Sequence, residues 1–121
     1  MKLNLSMPSK LFSFYSQELT NYRLAKIAND SAQVWHHLER AHIIGQAYPI
    51  QHTQTHWLML MQGWQEKRFN EVLGQAIRLV FGGPLSFINY FPKGNPGSIR
   101  VSMMKPEALP EDIAQFFRDY T

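Results

Sequence analysis

Apolar residues recur every three or four positions through four successive segments of this chain, and each segment ends at a break in the pattern. A period near 3.6 places those residues on one side of a helix and cannot form a strand face, so the chain is confined to folds in which helical stripes meet. The first segment opens at Pro8-Ser9 and runs to about Ile27, with Leu11, Phe12, Tyr15, Leu19, Tyr22 and Leu24 as its apolar positions. Asn29-Asp30-Ser31 is a break followed by a helix N-cap. The second segment carries Val34, Leu38, Ala41 and Gly45 on one stripe, and Pro49 stops or restarts the chain. The third, from about Gln51 to Glu66, places Trp57, Leu60, Met61 and Trp64 on one face. Lys67-Arg68-Phe69-Asn70 makes a turn. The fourth then runs to about Phe81 with Val72, Leu73, Ala76, Leu79 and Val80 apolar, and Gly82-Gly83-Pro84 ends it.

Four such helices form two helical hairpins. A weak internal echo supports stacking: Leu38 and Ala41 align with Leu73 and Ala76 at an offset close to the ~34 residues of tetratricopeptide repeats, and Tyr22 and Trp57 share it. The full repeat signature is missing, so the expectation is stacking in that style and not membership. The last third differs. Leu85 to Tyr90 is aromatic-rich, the run from Pro92 to Ser98 is dense in turn formers, and Ile99 to Met103 alternates as a short extended stretch. Pro110, Glu111 and Asp112 suit the first turn of a final short helix with Ile113, Phe116 and Phe117 as its apolar face. The predicted fold is all-α: one domain over residues 1–121, with two stacked hairpins, a turn-rich tail and a final helix that caps them.

Composition narrows the function. Cysteine is absent, which removes disulfides and thiolate metal sites. Twelve basic and nine acidic residues give a net charge of +3, and the longest basic cluster is Lys67-Arg68, which is not the stripe a nucleic-acid binder needs. No run approaches the ~18 apolar residues of a membrane span, and the N-terminus lacks the apolar run of a signal peptide, so a cytoplasmic location is expected.

All five histidines fall between His36 and His56. Imidazole is a common ligand for divalent metals, and such clustering asks for a reason. His52 and His56 lie four apart on a helix, about 40° around the axis and about 6 Å along it, so both rings can share one ion. Glu39 and His42 are three apart, the Glu-x-x-His spacing of carboxylate-bridged di-iron bundles; only one copy is present, so a di-iron centre is rejected. The short connection at Ala47-Tyr48-Pro49 makes the second and third helices antiparallel neighbours, with His42 just before it and His52 just after. His42, His52 and His56 can then converge on one ion, with water or Glu39 as a fourth ligand. His37 competes with Glu39 for that place, though it sits about 140° from His42 on the same helix. His36 points elsewhere and is expected to be exposed. With nitrogen ligands and no thiolate, zinc is the default metal. Because ligating imidazoles are neutral, binding is expected to weaken below about pH 6. The competing reading makes the histidines structural, satisfying helix-end carbonyls or pairing with Glu39.

The string His37-Leu38-Glu39-Arg40-Ala41-His42-Ile43-Ile44-Gly45-Gln46 is distinctive. With it go Thr55-His56-Trp57, Met59-Leu60, Gly63, Glu71-Val72-Leu73-Gly74-Gln75, Arg78 and the later Pro92-Lys93-Gly94-Asn95 with Gly97. Together, from about His37 to Pro110, these resemble a bacterial family of small uncharacterised proteins, domain of unknown function family 3703. The resemblance implies a small helical domain with His37, His42, His52 and His56 as motif residues. It implies no established activity. An association of the family with heavy-metal resistance loci leans toward metal handling.

Other features carry less. Gly94-Asn95-Pro96-Gly97 reads as a chain reversal rather than an anion cradle. Met59 and Met61 read as core. No nucleophile–base constellation can be assembled, and Glu39 is the sole candidate base beside the histidines, so a binding protein is expected rather than an enzyme. The alternative class is a repeat-like interaction module that presents a concave face to a protein partner.

Overall fold

The computed structural model describes residues 6–86, Gly97 and 108–120, with side chains described over 6–80, at Gly97 and over 108–119. Five helices follow one another among these residues: α1 (Ser9–Ile27), α2 (Ser31–Gly45), α3 (Pro49–Gln65), α4 (Phe69–Ser86) and α5 (Glu111–Tyr120). No strand occurs among the described residues. α1 packs on α2 and α3 on α4, and α2 and α3 join the two hairpins. The fold is all-α, as the periodicity predicts. The short extended stretch at 99–103, the aromatic run from Leu85 to Tyr90 beyond Ser86 and the turn before Gly97 lie outside the described residues.

Both hairpin turns use the same device. Asn29 and Lys67 take positive φ, 56° and 58°. Each lets the chain fold back so that orphan carbonyls of the preceding helix are satisfied: Asp30 N–H donates to Ala25 O at 3.0 Å, and Arg68 N–H to Gly63 O at 2.8 Å. Asp30 then caps α2, accepting from Gln33 N–H at 3.2 Å. The second turn is shorter than the sequence suggests, since Phe69 and Asn70 already belong to α4. α3 opens on Pro49, where a missing N–H costs nothing in the first turn. α4 is longer than expected and continues through Gly82-Gly83-Pro84 to Ser86. Glycine tolerates helical dihedrals and proline's fixed φ is a helical one, so only a single N–H is lost.

The core sits between α1 and α2. Leu11, Tyr15, Leu19, Ala41, Ile43 and Ile44 form one cluster, which α5 completes with Ile113. Tyr22, Ala25, Val34, Trp35, Leu38 and Met59 form a second. Phe116 of α5 stacks on Phe14 of α1 with centroids 4.5 Å apart, so the final helix covers the first hairpin. Gly45 permits the crossing: a Cβ there would meet Gln51 Cβ at 2.9 Å and the Tyr15 ring at 3.3 Å.

Several expected core residues face water instead. Phe12 and Leu24 of α1 are exposed. In the second hairpin the reversal is systematic. Trp57, Met61 and Trp64 of α3, and Leu73 and Val80 of α4, are exposed. The inward positions belong to His52, Thr55, His56, Gln62, Glu71, Gln75 and Arg78. Periodicity identifies which residues share a face but not which face turns inward. Here the polar face does so with Glu71, Gln75 and His56 hydrogen-bonded in a chain and Arg78 bonded to the Gly97 carbonyl.

Candidate metal centre

The α2–α3 connection is three residues long, Gln46 to Tyr48, so the end of α2 and the start of α3 are forced together. His42 lies in the last turn of α2, and His52 and His56 lie in the first half of α3. All three are buried, at 2%, 3% and 5% exposure. Their Nε2 atoms converge: His42 to His52 at 2.9 Å, His42 to His56 at 3.0 Å and His52 to His56 at 3.0 Å. The rings are mutually tilted by 66°, 73° and 61°, a near three-fold propeller.

The surroundings set the protonation of His56. The Gln75 amide nitrogen donates to Gly97 O at 2.8 Å and to Glu71 Oε1 at 3.0 Å. Its oxygen therefore faces His56 Nδ1, at 2.5 Å, and must accept. His56 thus carries its proton on Nδ1 and offers a bare lone pair at Nε2. Burial holds both α3 imidazoles neutral. Removal from water pushes His52 down to about 3, helped by neighbouring His56. It pushes His56 down to about 4, with Gln75 opposing and Arg78 adding to the shift.

A neutral imidazole nitrogen holds either one in-plane proton or one lone pair. If one Nε2 carries a proton, the other two still oppose lone pair to lone pair. If two carry protons, those protons collide. No placement of protons makes all three contacts attractive. A cation on the axis of the propeller would. His42, His52 and His56 would supply three buried imidazole nitrogens, the donor type a divalent metal takes.

A second layer holds these rings. Gly97 has φ +88°, and a Cβ on it would lie 2.5 Å from His42 Cδ2, so only glycine brings backbone this close to the ring. Its carbonyl also accepts from Arg78 Nη1 at 2.6 Å. Thr55 Oγ1 donates to the His52 carbonyl at 2.8 Å.

Among the described residues, one group of at least three potential ligands brings its atoms within 4.8 Å of one another: His42, His52 and His56. His37 and Glu39, the other two residues singled out by spacing, are not in it. His37 Nδ1 faces Glu18 Oε2 at 2.7 Å on the α1 side of α2. Glu39 is half-buried, also apart from the triad. His36 is exposed, as its helical angle predicts.

The family model described as protein of unknown function (DUF3703) matches residues 9–117. The chain belongs to that family. No curated protein and no solved structure matches it. In this DUF3703 protein, Glu71, Gln75 and Arg78 escape a search for ligands because an amide and a guanidinium are not ordinary metal ligands and Glu71 has no histidine or carboxylate at helical spacing beside it. The signal that finds them is polar residues at spacings of four and three within an otherwise apolar helix. In this protein that stripe is the inward one.

Proposed function

We propose that this protein binds a divalent metal ion through the Nε2 atoms of His42, His52 and His56, with zinc as the default, and acts in cytoplasmic metal handling. The observation that carries the reading is the set of three Nε2–Nε2 separations of 2.9 to 3.0 Å. Nitrogen ligands without thiolate suit zinc and its neighbours in the first transition row. The Gln75 contact supports it further, because a ligating histidine ordinarily donates its other nitrogen's proton to an oxygen that orients the ring.

Calorimetry and elemental analysis of purified protein test this directly. One divalent ion per chain is expected, and His56→Ala should weaken binding by roughly a hundredfold or more, since it removes one of three ligands. Unchanged binding in that variant would remove the site.

A further inference from the structure

The helices of the second hairpin expose almost no charge. Across α3 and α4 the ionisable acids and bases, apart from histidine, are Glu71 and Arg78, and both are buried. What faces water is an apolar stripe on each helix. On α3 it comprises Ile50, Trp57, Met61 and Trp64, which fall within about 60° of arc. On α4, Leu73 and Ile77 centre a similar stripe, and Trp64 meets Phe69 edge-on at 6.2 Å where the two join. Aromatic and methionine enrichment with charge depletion is the composition of an interface core.

Three of the four residues of the α3 stripe, Ile50, Trp57 and Trp64, are symmetric about its middle. Ile50 and Trp64 each stand seven residues from Trp57, and Trp57 is the central residue of the seventeen in α3. A two-fold axis through Trp57 would bring Trp57 against Trp57 of the partner subunit and Ile50 against Trp64 of the partner subunit. The stripe is complementary to itself when run antiparallel. That arrangement also keeps the basic turns at Lys67 and Arg68 about 25 Å apart, beyond the screening length, whereas a parallel one would press them together.

We infer that this face is the interface of a two-fold dimer, with a second copy of the chain docked antiparallel along α3 and widened by α4. Area supports that occupant. The stripe residues of both helices are 46% to 68% exposed. Together they offer roughly 1,000 Å² per chain, above the ~800 Å² that each partner contributes to a standard interface. A lipid surface fits less well, because the exposed flanks of these helices hold Thr, Gln and Asn in place of the Lys and Arg that anchor an interfacial helix.

Sedimentation of the full chain should give a species of twice 14.1 kDa. Trp57→Glu should weaken self-association at least about a hundredfold, because the axis places the substitution in both subunits. Its helical circular dichroism should be unchanged. Phe12→Glu, an exposed apolar position on α1, should leave the dimer intact. The chain has no cysteine, so Trp57→Cys supplies a single thiol that should oxidise to a linked dimer, while Ile27→Cys should not. A wild-type chain that stays monomeric up to roughly 100 µM would overturn the inference. So would a Trp57→Glu variant that associates as the wild type does. Flotation of the monomer with vesicles of phosphatidylcholine and phosphatidylserine, abolished by Trp57→Glu, would assign the face to lipid instead. None of these outcomes depends on whether the histidines hold a metal.

Discussion

At the triad, the behaviour of each imidazole depends on what holds its second nitrogen. Gln75 commits His56 to one tautomer, and burial commits both α3 rings to the neutral state. This places the onset of proton competition in the folded protein below the pH 6 that an unperturbed imidazole would suggest. It also makes the metal-free fold acid-sensitive. In the unfolded chain these histidines take up protons as pH falls through about 6.5, while the folded forms do not until near 4 and 3. The lowered folded values mean that stability is full above pH 6.5 and is lost on acidification. Between pH 7 and pH 5 the loss should be about 2 kcal/mol for each of the two rings. Urea midpoints of chelator-treated protein at those two pH values measure it, and a flat profile would contradict the burial of the rings. The four-residue spacing of His52 and His56 was legible in the sequence. The Gln75 tautomer lock was not, because it is set by an amide nineteen residues away whose own orientation depends on Gly97 and Glu71.

Helix by helix, two clasps hold the fold around its core. Glu66 at the end of α3 accepts from Ser31 Oγ, from Trp35 Nε1 at 2.8 Å and from Gln62 Nε2 at 2.7 Å, tying α3 to the start of α2. Burial alone would raise its carboxyl, and these three donors outweigh that and hold it lowered. The other clasp is Arg40. Its Nε donates to buried Glu18 of α1 at 2.7 Å, and its outer nitrogens embrace Asp112 of α5, Nη1 donating to Oδ1 at 3.0 Å and Nη2 to Oδ2. Arg40→Ala should therefore do two things. It removes one of the two side chains, Arg40 and His37, that contact the buried Glu18 carboxylate, at a cost of roughly 3 kcal/mol, and it frees the α5 end from α2. Thermal unfolding reads the first. Faster amide exchange in α5 than in α2 reads the second, and uniform exchange would show that Phe116 and Ile113 hold the helix alone. The final helix and its apolar face were predictable from Pro110 and the acidic first turn. The clasp was not, since residues 72 apart carry no local signal of contact.

For the molecule as a whole, the hydrophobic core is lopsided. Among the described residues, Met59 alone represents the second hairpin in the buried apolar clusters. The rest of that hairpin's inward surface is polar and converges on the triad. Under the proposed function, a metal would then stabilise the half of the protein that has least apolar burial. A saturating ion at about a thousand times its dissociation constant adds roughly 4 kcal/mol, which for a domain of this size raises the melting temperature on the order of 10 °C. Melts with added zinc and with chelator measure it, and identical curves would count against the site. Among the described helices, none is long and apolar enough to cross a membrane, so the apolar exterior of the second hairpin is not a spanning segment.

Read alone, the chain specified five helices, the hairpin pairing and a histidine pair on one helical face, because these depend on periods and spacings between near neighbours. Which face of α3 and α4 turns inward, and which atoms steady His42 and His56, depended on partners brought from distant positions. An apolar stripe seeks burial only when the opposite stripe lacks partners of its own. Here Glu71, Gln75, Arg78 and the Gly97 carbonyl supply those partners, and that balance exists only once the chain is folded.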